Sequence, residues 1–312
     1  MKLSNGLSAA LASAFTMGLT PVFGKLAINF GLPPVVVVAI RTVLAAFLLL
    51  MVVLIFRRRY LYIYLVGLLG CLLAGGLNGL GSLFYYSSLG RINAGMGQLI
   101  FSFYPIFVAL WLLLDGQSPS RLTFFRLILA LLSVFLLTQA SSEPLDPVGV
   151  GLMLVASALY ALHLPINQRV LFDIPAPTVT LYTLIAMSLV VFPPFLLTRG
   201  WSAPTDPGVW LPLLGLTLAT FLSRLALFFG VKHLGGLQTA LIGLGELLVT
   251  LTMANLWLGE SLNPAQWLGV GILAISLLLV GFEKRSPPQR QVGGWLRWIN
   301  PPGVAASQLN KH

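Results

Sequence analysis

Charge is what this sequence has least of. Lysine and arginine number 18, and aspartate and glutamate only 8, in 312 residues; together they make 8% of the chain, against about 25% in an ordinary soluble domain. So little charge excludes an exterior that faces water. With 57% hydrophobic residues and a mean hydropathy of +0.93, the exterior must face lipid. Cysteine is represented once, by Cys71. No disulfide can close within the chain, and nothing points to an oxidising compartment. A Gly-rich phosphate loop ending in Gly-Lys-Ser/Thr is missing, which speaks against ATP-driven work by this chain alone. Metal-binding clusters and nucleophile motifs with orienting partners are missing too, so neither a cofactor nor a metal is expected. The formal net charge of +10 does not indicate nucleic acid. The basic residues gather in loops and near the C-terminus, which is the pattern of anchoring against anionic lipid.

What is present is a series of long apolar runs. A membrane-spanning helix needs about 20 apolar residues. Ten such runs cover 6–29, 33–56, 62–86, 92–114, 122–140, 148–170, 176–198, 208–231, 236–258 and 264–282. The connections are too short for a soluble domain. Backbone polar groups in lipid must be satisfied internally, and the runs lack the alternation of barrel strands. The expected fold class is therefore an all-α polytopic membrane protein with ten transmembrane helices. The first run continues into a full span, so no separate cleaved leader is expected. Arg57 to Arg59, Arg121, Arg126, Lys232, Lys284, Arg285, Arg290, Arg297 and Lys311 fall on one side if the N-terminus is cytoplasmic. The other side carries "SSEPLDP" (Ser141 to Pro147), without a basic residue, and only Arg91 and Arg199. The positive-inside rule then places both termini in the cytoplasm, with the cell membrane of bacterial inner-membrane type as the expected location. Trp111, Trp201, Trp210, Trp257 and Trp267 lie near expected helix ends, as an aromatic belt would. The tail from Glu283 is basic and Pro-rich. Its "GGWLRWINPP" reads either as a free disordered end or as a segment lying in the membrane interface.

The chain also repeats itself. "ASA" at Ala12 to Ala14 recurs at Ala156 to Ala158, an offset of 144 (156 − 12), and at that offset Pro21 meets Pro165, Lys25 meets Arg169 and Pro33 meets Pro177. Leu99–Ile100 recurs at Leu241–Ile242, an offset of 142 (241 − 99). One copy spans five helices, an odd number, so the second copy enters the membrane from the opposite side. The expected organisation is a first five-helix repeat over 1–140, a second, inverted one over 141–282, and a tail over 283–312. Inverted repeats are the architecture of many secondary carriers, whose substrate site lies near the midplane between the copies.

Local motifs agree with that architecture. "FGKL" (Phe23 to Leu26), "YYSSLGRINAGMGQLIFSFYP" (Tyr85 to Pro105), "FFGVKHLGGLQTALIGLGE" (Phe228 to Glu246) and "WLGES" (Trp257 to Ser261) resemble the helix-one end, the two mid-repeat helix junctions and the Gly-Glu after helix nine of the drug/metabolite transporter superfamily, EamA type. The resemblance covers about 6–282. The sequence departs from it at "LLLDGQS" (Leu114 to Ser118), which has no Gly-Glu, at Tyr104 before Pro105, and at Leu247 after Glu246. The resemblance implies export of small metabolites, often amino acids, or of drugs.

The candidate site begins with Glu246. The other acidic residues fall at or beyond helix ends, whereas Glu246 stands centrally in span nine. A charge at the bilayer centre costs at least about 2.5 kcal/mol on insertion scales and should face the bundle interior. It reads as a partner for a substrate amine or as a protonation site; a buried structural carboxyl is the alternative. At offset 142 its counterpart is Tyr104 (246 − 142), so spans four and nine are expected to be symmetry mates, with Gln98 and Ser102 in one and Gln238 in the other. Arg224 in span eight and Arg41 in span two are the deepest cations. Either could bind a carboxylate or pair with Glu246; Arg224 could also snorkel. Asn78, Ser82 and Tyr85 share a face of span three by their spacing. Tyr160 and His163 stand on span six, where a histidine could relay protons or simply bond a neighbouring helix. Pro21, Pro105 and Pro165 lie inside spans and could kink helices around a cavity.

These features point to a secondary carrier that exports small organic metabolites, amino acids above all, with protons as the candidate coupling ion. Glu246, Arg224, Asn78, Ser82, Tyr85, Gln98, Ser102, Tyr104, Tyr160, His163 and Gln238 are its candidate substrate-binding residues. Export of drugs or other small organic ions is the alternative within that class. An intramembrane lipid-modifying enzyme, for which Glu246 and His163 could supply the groups, or a channel, leaves the repeat unexplained.

Overall fold

The computed structural model describes residues 2–117, 119–139, 146–198, 207–259, 264–279 and 293–299. Among them the regular structure is helical. Helices α1 (Lys2–Gly18) and α2 (Thr20–Asn29) form the first span, α3 (Pro34–Phe56) the second and α4 (Leu65–Leu89) the third. The fourth is α5 (Ala94–Phe101) with α6 (Tyr104–Leu114). After α7 (Arg121–Gln139) come α8 (Pro147–Asp173), α9 (Ala176–Leu197) and α10 (Trp210–Leu234), then α11 (Gly236–Gly243) with α12 (Gly245–Met253), and last α13 (Pro264–Leu278). Among the described residues, eight helices or broken helices are long and apolar enough to cross a membrane. The expected spans five and ten fall on α7 and α13, of which α13 contributes the shorter apolar stretch Trp267–Ser276.

The exterior is greasy, as lipid requires. Phe15, Phe47, Ile55, Phe56, Leu65 and Leu211 are exposed, while the interior holds the small and polar residues. Glycines set the closeness of the helices. A Cβ on Gly75 of α4 would stand 2.5 Å from the Thr183 carbonyl oxygen of α9, and one on Gly81 would stand 3.3 Å from the Ala156 carbonyl oxygen of α8. In this way α4 packs along both α8 and α9. Helix α1 lies along α10, α3 along α9, and α13 along α7. The last pair is fastened by side chains: Ser133 Oγ donates to the Gly269 carbonyl (2.7 Å) and Ser276 Oγ to the Arg126 carbonyl (3.0 Å).

Three spans are broken, and the breaks have local causes. Pro21 and Pro105 each stand in the first turn of the second half-helix, where a missing N–H costs no bond. In the span that the sequence reading numbers ninth, Leu244 interrupts the helix between Gly243 and Gly245, and Glu246 opens α12 in its first turn. Glu246 is thus at a helix start and not, as the sequence suggested, in the middle of a continuous helix. Pro165 behaves differently from the other two prolines, since α8 runs through it. The fourth and ninth spans break at matching places: α5 covers 94–101 and α11 covers 236–243, each boundary 142 apart. They meet at their breaks, where Tyr104 Oη donates to the Ala240 carbonyl (2.9 Å) and a Cβ on Gly243 would overlap the Tyr104 hydroxyl.

One expectation about basic residues changes. Arg126 is not a loop residue. It is fully buried in α7, with Nε on the Ser276 carbonyl (3.2 Å) and Nη1 on Gln238 Oε1 (2.8 Å). Lys25 of α2 caps the end of α4, its ammonium donating to the Leu89 (2.7 Å) and Ile92 (2.9 Å) carbonyls. Most of the tail, with Lys284, Arg285, Arg290 and Lys311, lies outside the described residues, as do Arg199, Trp201 and Glu260. The segment Gly293–Ile299 is described, and it is not a free end. Leu296 is 0% exposed and Ile299 1%, packed against α4 and α8, and the Trp295 ring lies 6.3 Å from that of Trp111.

Candidate functional site

The broken helices, with α3, α4, α8 and α10, line a cavity in which charged, polar and aromatic side chains meet. Its wall takes Met17 and Thr20 from the break in the first span, Arg41 from α3, and Asn78, Gly81, Ser82, Tyr85 and Tyr86 from α4. Gln98 and Phe101 come from α5, Ala156 and Tyr160 from α8, Arg224 from α10 and Glu246 from α12. Asn78, Ser82 and Tyr85 line it together because their three- and four-residue spacing keeps them on one face of α4. Phe101 anchors one wall: its ring lies 5.1 Å from those of Tyr85 and Tyr160, distances at which aromatic pairs stabilise one another.

The two arginines carry most of the electrostatics. Arg41 Nη1 donates to Thr220 Oγ1 (3.2 Å) and Nη2 to Ser82 Oγ (3.1 Å), with its guanidinium 4.6 Å from the centre of the Tyr86 ring. Arg224 Nη2 donates to Asn78 Oδ1 (3.3 Å) and its guanidinium lies 5.4 Å from the Tyr160 ring centre. Among the described residues no carboxylate forms a salt bridge with either arginine. Glu246 is 1% exposed, with the Gln98 side chain beside it; Gln98 Oε1 also accepts from Tyr85 Oη (3.1 Å). Behind Glu246, the α1–α2 break is pinned to α12: Thr250 Oγ1 donates to the Gly18 carbonyl (2.7 Å).

Several polar atoms of this wall are buried without a hydrogen-bonding partner. They are Arg41 Nε, Arg224 Nη1, Asn78 Nδ2 and Tyr86 Oη on the donor side, and Glu246 Oε1 on the acceptor side. Buried polar atoms are nearly always satisfied. A cluster of such atoms facing one cavity leaves hydrogen-bonding capacity for water or a bound solute.

Of the residues picked out from sequence, Glu246, Arg224, Asn78, Ser82, Tyr85, Gln98 and Tyr160 line the cavity. Four lie elsewhere. Ser102 donates to the Gln98 carbonyl (2.7 Å) and lines a separate, smaller space with Phe103, Pro105 and Leu127. Tyr104 ties the fourth span to the ninth. His163 stands one layer behind Tyr160, its ring 4.6 Å from that ring and its Nδ1 on the Tyr160 carbonyl. Gln238 faces α7, bonded to Arg126 and, at 3.3 Å, to Thr123 Oγ1. Depth in a span does not reveal which face of the helix a residue occupies, and that is why the sequence does not separate these four from the cavity residues. The sequence reading left Arg41 and Tyr86 out of the site. Tyr86 precedes Ser87 in a run of four polar residues, Tyr85 to Ser88, and only the crossing of α3 over α4 shows that it faces inward.

A second buried charged cluster lies at the end of α6. Arg169 of α8 holds Asp115 through Nη2 (2.6 Å) and Nε (3.2 Å), and Nη2 also reaches the Gly293 carbonyl (2.6 Å). The other carboxylate oxygen of Asp115 accepts from the Leu296 amide (3.2 Å). Gly294, with φ +80°, lets the tail backbone pass against Asp115.

Comparison with known proteins gives this geometry a context. The EamA-like transporter family matches the chain twice, over residues 4–139 and 147–282. An uncharacterized transporter of Synechocystis sp., sll1319, is 28% identical over 215 residues; the match spans 65% of this chain and 63% of that protein's length. A solved structure, titled only as the crystal structure of a protein, superposes with a TM-score of 0.68 over 88% of this chain and 96% of its own, at 15% identity. That likeness speaks for the fold alone.

Proposed function

Because the chain belongs to the EamA-like transporter family, a family of multi-pass membrane transporters, we propose that it exports small organic metabolites, amino acids above all, by alternating access through the central cavity. The observation that carries this reading is the set of unpartnered donors and the unpartnered Glu246 Oε1 that face one cavity. An amino acid presents a carboxylate and an ammonium a few ångströms apart. The guanidiniums of Arg41 and Arg224, with the Asn78 amide, suit the carboxylate; Glu246 suits the ammonium. The Tyr85, Phe101 and Tyr160 rings offer an apolar wall for the side chain.

The carrier would be two inverted five-helix repeats, 1–140 and 141–282, with ten transmembrane helices and both termini cytoplasmic. Three observations support this. The family matches each half separately. The fourth and ninth spans break 142 residues apart. And the long contacts are reciprocal: the first helix of one half lies against the third helix of the other, α1 on α10 and α8 on α4. Rocking of the halves about the breaks at Leu19, Phe103 and Leu244 would expose the cavity to either side. Protons are the coupling ion proposed for such a carrier, with Glu246 as the group that would take them up.

Counterflow in proteoliposomes tests the reading. Vesicles containing the purified protein, loaded with an amino-acid mixture and with no pH gradient, should take up labelled amino acid in a saturable way that empty liposomes do not. Glu246→Gln should abolish the pH dependence and lower the rate. An unchanged rate and pH profile in that variant would leave Glu246 a structural residue.

A further inference from the structure

Counting the charges and unused bonds of the cavity narrows the substrate further, on the premise that amino acids are carried. Two guanidiniums face the space and one carboxyl opposes them. Arginine does not lose its proton at any physiological pH. The partners that Arg41 and Arg224 do have, Thr220, Ser82 and Asn78, are all neutral. The unused capacity is lopsided in the same sense, with Arg41 Nε, Arg224 Nη1 and Asn78 Nδ2 as N–H donors against Glu246 Oε1 as acceptor. A buried charge without a counter-charge is costly, and a ligand that supplies the missing charge recovers that cost on binding. A neutral zwitterion would satisfy Glu246 and one guanidinium and leave the other bare. A dicarboxylate without an amine would satisfy both guanidiniums and set a like charge against Glu246.

We propose that the cavity selects an amino acid bearing a second acidic group, net charge −1, with one carboxylate on each of Arg41 and Arg224 and the ammonium on Glu246. The arginines approach the cavity from different helices, α3 and α10. Two separate guanidiniums match a molecule with two separated carboxylates better than one with a single carboxylate.

Competition in the counterflow assay tests this, with labelled L-glutamate as the probe. Unlabelled L-aspartate or L-glutamate should compete about tenfold or more better than L-leucine, and also better than succinate, by the cost of a buried unpaired charge. Arg41→Gln removes one positive charge, and its preference should move toward neutral amino acids. The same assay with Arg91→Gln, which removes an exposed positive charge outside the cavity and leaves both guanidiniums in place, should keep the acidic preference. Equal competition by leucine in the wild type would overturn the charge selection while leaving amino-acid transport standing. Competition by succinate equal to glutamate would overturn the ammonium contact. Exchange of no amino acid at all, with folded protein in the vesicles, would remove the premise itself.

Discussion

The protein buries charge in two places and treats it oppositely. At the end of α6, Asp115 and Arg169 are both nearly inaccessible and fully engaged: the Arg169 Nη2 to Asp115 contact is 2.6 Å, and the remaining oxygen is met by the backbone of the tail. In the central cavity, Arg41, Arg224 and Glu246 are equally buried, at 5%, 4% and 1% exposure, yet donors and acceptor are left over. A satisfied buried pair rigidifies what it joins; here it joins α6, α8 and the tail segment. An unsatisfied set costs stability and persists where something outside the fold completes it. Burial is common to both clusters, so it cannot tell structure from function. Completeness of pairing is what separates these two clusters.

Substitutions can break that contrast. The largest effect is expected from Asp115→Ala, which strands Arg169 in a buried site and should cost about 3–5 kcal/mol. Thermal unfolding in detergent would show it, and adding Arg169→Met should restore most of the loss. If the single variant unfolds like wild type, the pair is not structural. Next comes Arg224→Gln. It should lower transport by about a hundredfold, equivalent to about 2.7 kcal/mol, with an unfolding temperature equal to or above that of wild type, since it removes an uncompensated charge. A fall in stability matching that of Asp115→Ala would erase the distinction between the two clusters. Leu296→Ala, in the tail segment, should cost about 2–3 kcal/mol as a buried leucine does, and a variant as stable as wild type would show the segment to be loosely held.

The smallest effect belongs to an exposed pair. Arg91 Nη1 holds Asp146 Oδ2 at 3.0 Å, and the Val148 amide donates to Asp146 Oδ1 at 2.9 Å. The Arg91 hydrogen bond first, and the Val148 amide next, hold the Asp146 carboxyl below its ordinary value of 3.8. A depressed carboxyl contributes stability above its unfolded value and loses it as pH falls through the folded one. Asp146→Asn keeps the helix cap and removes the charge. Its slight deficit should therefore be constant between about pH 7 and 5 and vanish only below the ordinary aspartate value. A deficit that grows on acidification would refute the sign.

Some of the site was legible because its signal is local. Glu246 stood out as the central acidic residue, and the Asn78, Ser82 and Tyr85 stripe followed from helical spacing; all four line the cavity. Arg41 was undervalued because its place depends on Thr220 and Ser82, which are 179 and 41 residues away. His163 and Gln238 stood among the candidates because a polar residue in a span must find a partner, and the sequence does not say whether that partner is a substrate or another helix. Here they are the Tyr160 carbonyl and Arg126. The broken spans were half visible: prolines marked two of the breaks, while the one beside Glu246 has only glycines to signal it.

The sequence by itself determined the solvent, the helical class and the approximate span limits, because each follows from how many apolar residues stand in a row and from the need to satisfy every backbone group within lipid. It also determined that one carboxyl, Glu246, lies inside an apolar run. Only the tertiary structure decided which buried charges are paired and which face an empty space. Pairing is a matter of a few ångströms between side chains on helices far apart in the chain, such as Asp115 and Arg169, 54 residues apart, and no local pattern along one helix encodes what the next helix brings to meet it.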